Sequence, residues 1–134
     1  MSFSAQLGRF SAKATRGVEA TRRAVAIKLF SAIIMDTPVL TGRLRGNWQT
    51  SLASPIVSEI ARSDMSGGEA VRDVMTVVGK SLPTDDMILR NNLPYVNRIE
   101  YDGWSHTKAP EGMVRKNVAR FHRLFEEAVR ENRV

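Results

Sequence analysis

Asn91-Asn92-Leu93-Pro94-Tyr95-Val96-Asn97-Arg98-Ile99-Glu100-Tyr101-Asp102-Gly103-Trp104-Ser105-His106 decides how the chain is read, together with Ala109-Pro110-Glu111-Gly112-Met113-Val114-Arg115 just beyond it. Pro94 cannot sit inside a paired strand but suits the first turn of a helix, where Asn91 or Asn92 can accept the free amide protons. The spacing predicts a short helix from Pro94, with Val96 and Ile99 on one face beside Tyr95 and Gly103 as its left-handed stop. A polar turn carrying Trp104 follows. Pro110 or Glu111 then opens a second helix whose Val114, Val118, Phe121, Leu124, Phe125 and Ala128 recur at helical spacing. The two helices meet at an elbow that exposes Tyr101, Trp104 and His106.

Upstream, Ser2 or Ser4 can cap a long helix that reaches about Met35. Phe3, Leu7, Phe10, Ala14, Val18, Thr21, Val25 and Leu29 draw one apolar stripe along it, and Arg9, Lys13, Arg16 and Arg23 fall on the opposite side. Beyond Val25 the pattern changes: Ile27, Phe30 and Ile34 take angles that were basic earlier, so the second half must be covered on several sides. About 30 residues at 1.5 Å each make a rod of roughly 45 Å, longer than a domain this small can cover. The first half is therefore expected to project and to find its cover on a neighbouring subunit.

Asp36-Thr37-Pro38 ends that helix and Thr41-Gly42 turns the chain. Leu44 to Ala53 reads as a strand around Trp48, closed by Pro55, with Trp48 expected in the core. Arg43 and Arg45 flank Leu44 and would share one strand face, turned either to a channel or acidic neighbour or simply to water. Ile56 to Ile60 reads as a weak strand or a helical turn, and Ser63 to Gly68 as a flexible loop. Glu69 to Val78 is an amphipathic helix through Val71, Val74, Met75 and Val78, stopped by Gly79. Ser81 to Asp86 is a turn, and Met87 to Arg90 a brief strand. The expectation is an α+β chain forming a single domain over residues 1–134: a long helix over 1–35, then a body over 36–134 in which a small sheet carries short central helices and a C-terminal helix packed on it.

Composition narrows the chemistry. The chain has 134 residues, 43% of them hydrophobic, which suffices for one modest core. It has no cysteine, so disulfides and thiolate metal sites are excluded. Neither a secretion signal nor a membrane span is legible, since the apolar run from Ala24 to Met35 is short and contains Lys28; the expectation is a soluble intracellular product. The net charge of +6 lies wholly in residues 1–50, where eight cations oppose Glu19 and Asp36 (8 − 2 = +6), while the remainder balances at 12 − 12 = 0. There is no Gly-rich phosphate loop, nucleophile elbow or His-Glu metal pair, so neither an enzyme nor a cofactor is expected. His106 and His122 lack metal-ligand spacing, and Asp85-Asp86 reads as turn chemistry.

Three stretches together resemble a known family. Thr37-Pro38-Val39-Leu40-Thr41-Gly42-Arg43-Leu44-Arg45-Gly46-Asn47-Trp48, then Asn91 to Tyr95 with Ile99-Glu100-Tyr101-Asp102-Gly103-Trp104-Ser105, then Ala109-Pro110-Glu111-Gly112-Met113-Val114 are similar, in order and spacing, to the neck and tail-completion proteins of long-tailed bacteriophages. Val96 stands where alanine is common, and Asp102 and Trp104 bracket the elbow glycine where smaller residues are usual. The resemblance implies a non-enzymatic virion protein, assembled in the bacterial host cytoplasm and located in the neck or tail. There it would join or stabilise the proximal end of the tail. Its implied partners are further copies of itself in a hexameric or dodecameric ring, and other neck, connector or tail-tube proteins. A ring needs two complementary faces on each subunit. Tyr101, Trp104, Phe3, Leu7 and Phe10 are the candidate subunit contacts, and Arg43, Arg45, Arg9, Lys13 and Arg16 the candidate channel or acidic-partner contacts. Two alternatives stand beside this reading. One is a basic DNA-binding protein using the first helix, with non-specific DNA in the channel as ligand; the other is a minor component elsewhere in the tail.

Overall fold

A computed structural model describes residues 3–39, 41–101 and 112–131, the side chains of residues 3–16 and of Leu124 excepted. The fold is α+β. Helix α1 (Phe3–Met35) is followed by a helical turn α2 (Arg43–Gly46), strand β1 (Trp48–Leu52), α3 (Gly68–Gly79), strand β2 (Met87–Asn91), α4 (Val96–Tyr101), α5 (Val114–Ala119) and α6 (Phe121–Glu131). The strands form an antiparallel pair in which Trp48 lies opposite Asn91 and Leu52 opposite Met87. Ile33 and Ile34 of α1, Ala70, Val74 and Val78 of α3, Trp48, Leu93, Ile99 and Met113 close around one buried core.

The end of α1 is set by three residues acting together. Pro38 has no N–H to continue the ladder. Thr37 Oγ1 donates to Ile33 O (2.7 Å) and accepts from Trp48 Nε1 (2.8 Å), so the helix stop and the largest core ring share one buried hydroxyl. Trp48 is accordingly in the core, 4% exposed.

The first strand is shorter than its alternation suggested. Leu44 belongs to α2, not to β1, and Arg43 and Arg45 consequently do not share a strand face. Gly42, at φ +85°, admits the chain into that helical turn, and the amide of Asp64 lies against it, donating to Gly42 O (3.0 Å). Residues 55–62 form neither strand nor helix. Side chains replace a backbone ladder there: Asn47 Oδ1 accepts from Ile60 N (2.9 Å), Gln49 Nε2 donates to Ser58 O (2.7 Å), and Asn92 Nδ2 donates to Ile56 O (2.8 Å).

In α3 the buried face runs through Ala70, Val74 and Val78, four apart, while Met75 faces solvent. Asp64 Oδ2 caps the helix by accepting from Ala70 N (2.9 Å). The turn before β2 is built as expected around Asp85, whose Oδ2 accepts from Leu82 N (2.7 Å). It is also clamped from α1: Arg23 Nη2 donates to Ser81 O (2.7 Å) and Arg22 donates to Leu82 O (3.3 Å) and Asp85 O.

Helix α4 begins two residues later than Pro94. Asn91 Oδ1 accepts from Leu93 N (3.1 Å) in a local turn and Asn92 reaches away to residue 56, so neither asparagine caps the first turn of the helix. The last helix is broken at Arg120 (φ −90°, ψ 0°), dividing it into α5 and α6. Asn117 Nδ2 fastens α5 to the end of α1 by donating to Asp36 Oδ2 (2.8 Å), beside a Lys116–Asp36 ion pair (3.4 Å). The bend then lets α6 follow α1, where Ala128 is buried and Lys28 pairs with Glu131 (3.3 Å). These C-terminal helices thus pack chiefly along α1 rather than on the sheet. A pair of five-residue strands offers too little area for both α3 and a second helix.

Candidate functional site

Glu100 is the joint between the two halves of the elbow. Its side chain is buried, the residue being 5% exposed, at the penultimate position of α4. Oε2 accepts from Met113 N (2.7 Å) and Val114 N (3.0 Å), and Oε1 from Arg115 N (2.7 Å). These are the N-cap, first and second residues of α5, whose amides have no partners within their own helix. A carboxylate placed there also meets the positive end of the helix dipole. Arg115 returns to Glu100 through Nε (3.6 Å to Oε1) and through Nη2 to the Glu100 carbonyl. The chain therefore leaves at Tyr101 and re-enters at Gly112 with both ends tied to a single side chain.

Gly112 makes this closeness possible. Its φ is +80°, and a Cβ placed there would lie 2.5 Å from Glu100 Oε2 and 2.6 Å from Glu100 O. Only a residue without a side chain fits. Met113, fully buried, then inserts into the core. Tyr101 ends α4 at 64% exposure, with the Arg115 guanidinium 5.2 Å over its ring. Trp104 and His106 lie outside the described residues, as do the side chains of Phe3, Leu7, Phe10, Arg9, Lys13 and Arg16.

The two remaining site residues separate. Arg43 is exposed and pairs with Glu59 (3.4 Å). Arg45 turns inward, donating to Met35 O (2.9 Å), Thr37 O (2.9 Å) and Met65 O (2.7 Å). It is a C-cap of α1 supplied from another element, where a cation complements the free carbonyls. Arg45→Met should lower the unfolding free energy by about 2 kcal/mol, because three carbonyls lose a charged donor. Unchanged urea unfolding would instead mark Arg45 as a surface cation.

A second feature is apolar. Val118, Phe121, Phe125 and Val129 form an exposed stripe on α5 and α6, although helical spacing had placed the first three on a buried face. Val118 lies just before the break at Arg120 and the other three after it, and Phe121 and Phe125 meet with ring centroids 6.3 Å apart. His122 lies beside them at the surface, 3.0 Å from Glu126. Among the described residues there is no cluster of three potential metal ligands, and no helix is long and apolar enough to cross a membrane.

Sequence spacing did not single out Glu100, Met113 or Asn117. Glu100 caps a helix thirteen residues away, outside the three-residue reach of a local capping box. The available signal was its place between an apolar helix face and a downstream Gly-Met before a helical pattern. Comparisons with protein-family models, curated proteins and solved structures find no match to this chain.

Proposed function

We propose that this protein is a non-catalytic structural subunit of a tailed-phage virion, acting at the head-tail junction to complete or stabilise the proximal end of the tail. The phage assignment comes from the resemblance of residues 37–48, 91–105 and 109–114. One observation gives it physical support: an apolar stripe left in water on α5 and α6, which a subunit of a larger assembly would cover against other chains. The Glu100 joint fits the same role. It fixes where the chain leaves α4 and where it enters α5, on either side of the segment that bears Trp104.

The test is to delete the gene in the phage and to image particles carrying a tagged copy of the chain. Separate heads and tails after deletion place the protein at the joint; tails of uncontrolled length place it at the end of the tail tube. A tag absent from mature particles overturns the reading. Trp104→Ala should weaken subunit contacts by about 2 kcal/mol or more, the cost typical of a tryptophan anchor. Oligomerisation and head-tail joining equal to the parent's would remove the elbow from the interface.

A further inference from the structure

The antiparallel register leaves one edge of the sheet open. Ala53 N donates to Asp86 O (3.0 Å), so the pairs that exchange bonds are Ser51 with Ile88 and Gln49 with Arg90. Met87, Leu89 and Asn91 consequently turn their amide and carbonyl groups away from β1, and no further strand takes them up among the described residues. The outer edge of β1 is treated differently: Arg62 Nη2 donates to Trp48 O (2.9 Å) and Ser54 N to Leu52 O (2.7 Å). Strand β2 also lines an apolar trough. Two adjoining hollows of about 530 and 340 Å³ share Leu29, Phe30, Met87 and Ile88, and Val118 and Phe121 line the far wall. An unpaired ladder beside apolar surface calls for an extended strand, since a helix has already consumed its own backbone bonds.

We infer that the occupant is β2 of a second copy of this chain, added antiparallel about a twofold axis through Leu89. The charges favour this choice. Asp86, Ile88 and Arg90 share one face of the strand, and neither Asp86 nor Arg90 has an ion partner among the described residues. In the twofold register Ile88 faces Arg90 of the partner subunit, which keeps the two arginines apart. Asp86 lies diagonally from that same arginine, at about 7–8 Å between backbones, within reach of a long side chain. Symmetry makes the pair twice. A twofold contact closes at two copies, so it goes beyond the proposed place in a virion and is separate from the head-to-tail contact of a ring.

The experiment is sedimentation velocity on the full chain over the micromolar range, with Asp86→Lys, Arg90→Glu and the double exchange. Both positions are exposed, so circular dichroism should match the parent for all three. The parent should form a dimer. Each single variant sets two like-charge pairs across the axis and should weaken the dimer by about tenfold, and the double variant should recover it. A parent that stays monomeric at about 100 µM overturns the inference, as does a dimer or larger species indifferent to the single exchanges, or a double variant no better than the singles. Particle imaging does not enter this test, so its failure leaves the virion reading untouched, and the reverse also holds.

Discussion

Replacing Glu100 with alanine should lower the unfolding free energy by about 3–5 kcal/mol, measured by urea denaturation. The substitution leaves the amides of Met113, Val114 and Arg115 without an acceptor, and the first of these is buried. Side-chain truncation alone would cost far less, because the group lost is polar. Glu100→Gln is the sharper variant. It preserves size and one acceptor oxygen, but turns an NH₂ group toward an amide donor, so about 2 kcal/mol should be lost. Gly112→Ala attacks the same joint from the other side, forcing a side chain into a left-handed backbone and against the carboxylate. Combined with Glu100→Ala it should cost less than the sum of the two, since two of the three clashing atoms, Glu100 Oε2 and Cδ, have gone and only the carbonyl oxygen remains. A Glu100→Ala protein within 1 kcal/mol of the parent would mean that the carboxylate does not hold the elbow together.

How far this arrangement could be foreseen depends on the range of each interaction. The stop of α1 at Met35 was legible because Thr37 and Pro38 act within one turn of the helix they end. The second strand and the turn at Asp85 were legible for the same reason. Trp48 was placed in the core correctly, although nothing local reveals that its N–H meets Thr37. Long-range polar contacts were invisible. Glu100 reaches past the elbow, Arg45 reaches back to the end of α1, and Asn47, Gln49 and Asn92 hold residues 56–60 in place of a ladder. Each of these side chains looks like an ordinary surface group in sequence. The break at Arg120 was missed because the apolar spacing from Val114 to Ala128 continues through it. The anchoring of α5 to Asp36 through Asn117 and Lys116, which no local pattern announces, sets the two pieces apart. Periodicity reports which face can be buried, whereas these contacts decide which face is.

Gly46→Ala should destabilise the protein by about 3 kcal/mol, against the trend expected from local preference. Alanine is the better residue in a helical turn by up to about 1 kcal/mol, and Gly46 lies within one at negative φ. Packing decides the sign. A Cβ at Gly46 would stand 2.3 Å from Arg62 O and 2.9 Å from Arg62 C, atoms of backbone that cannot rotate aside. That backbone is itself pinned, since Arg62 Nε donates to Gly46 O (2.7 Å) and Nη2 to Trp48 O (2.9 Å). Just beyond, Asp64 N donates to Gly42 O (3.0 Å) while its carboxylate caps α3. The strain must therefore spread along residues 60–64, and hydrogen exchange should quicken at the amides of Ile60, Asp64 and Ala70 before it does so in β1. Gly79→Ala supplies the contrast. Gly79 closes α3 without a positive φ, and a Cβ there meets nothing within 4 Å. The same exchange should stabilise by about 0.5 kcal/mol, chiefly by narrowing the unfolded ensemble. Equal effects at the two glycines would show that the crossing of residues 62–64 over α2 is not a tight backbone contact.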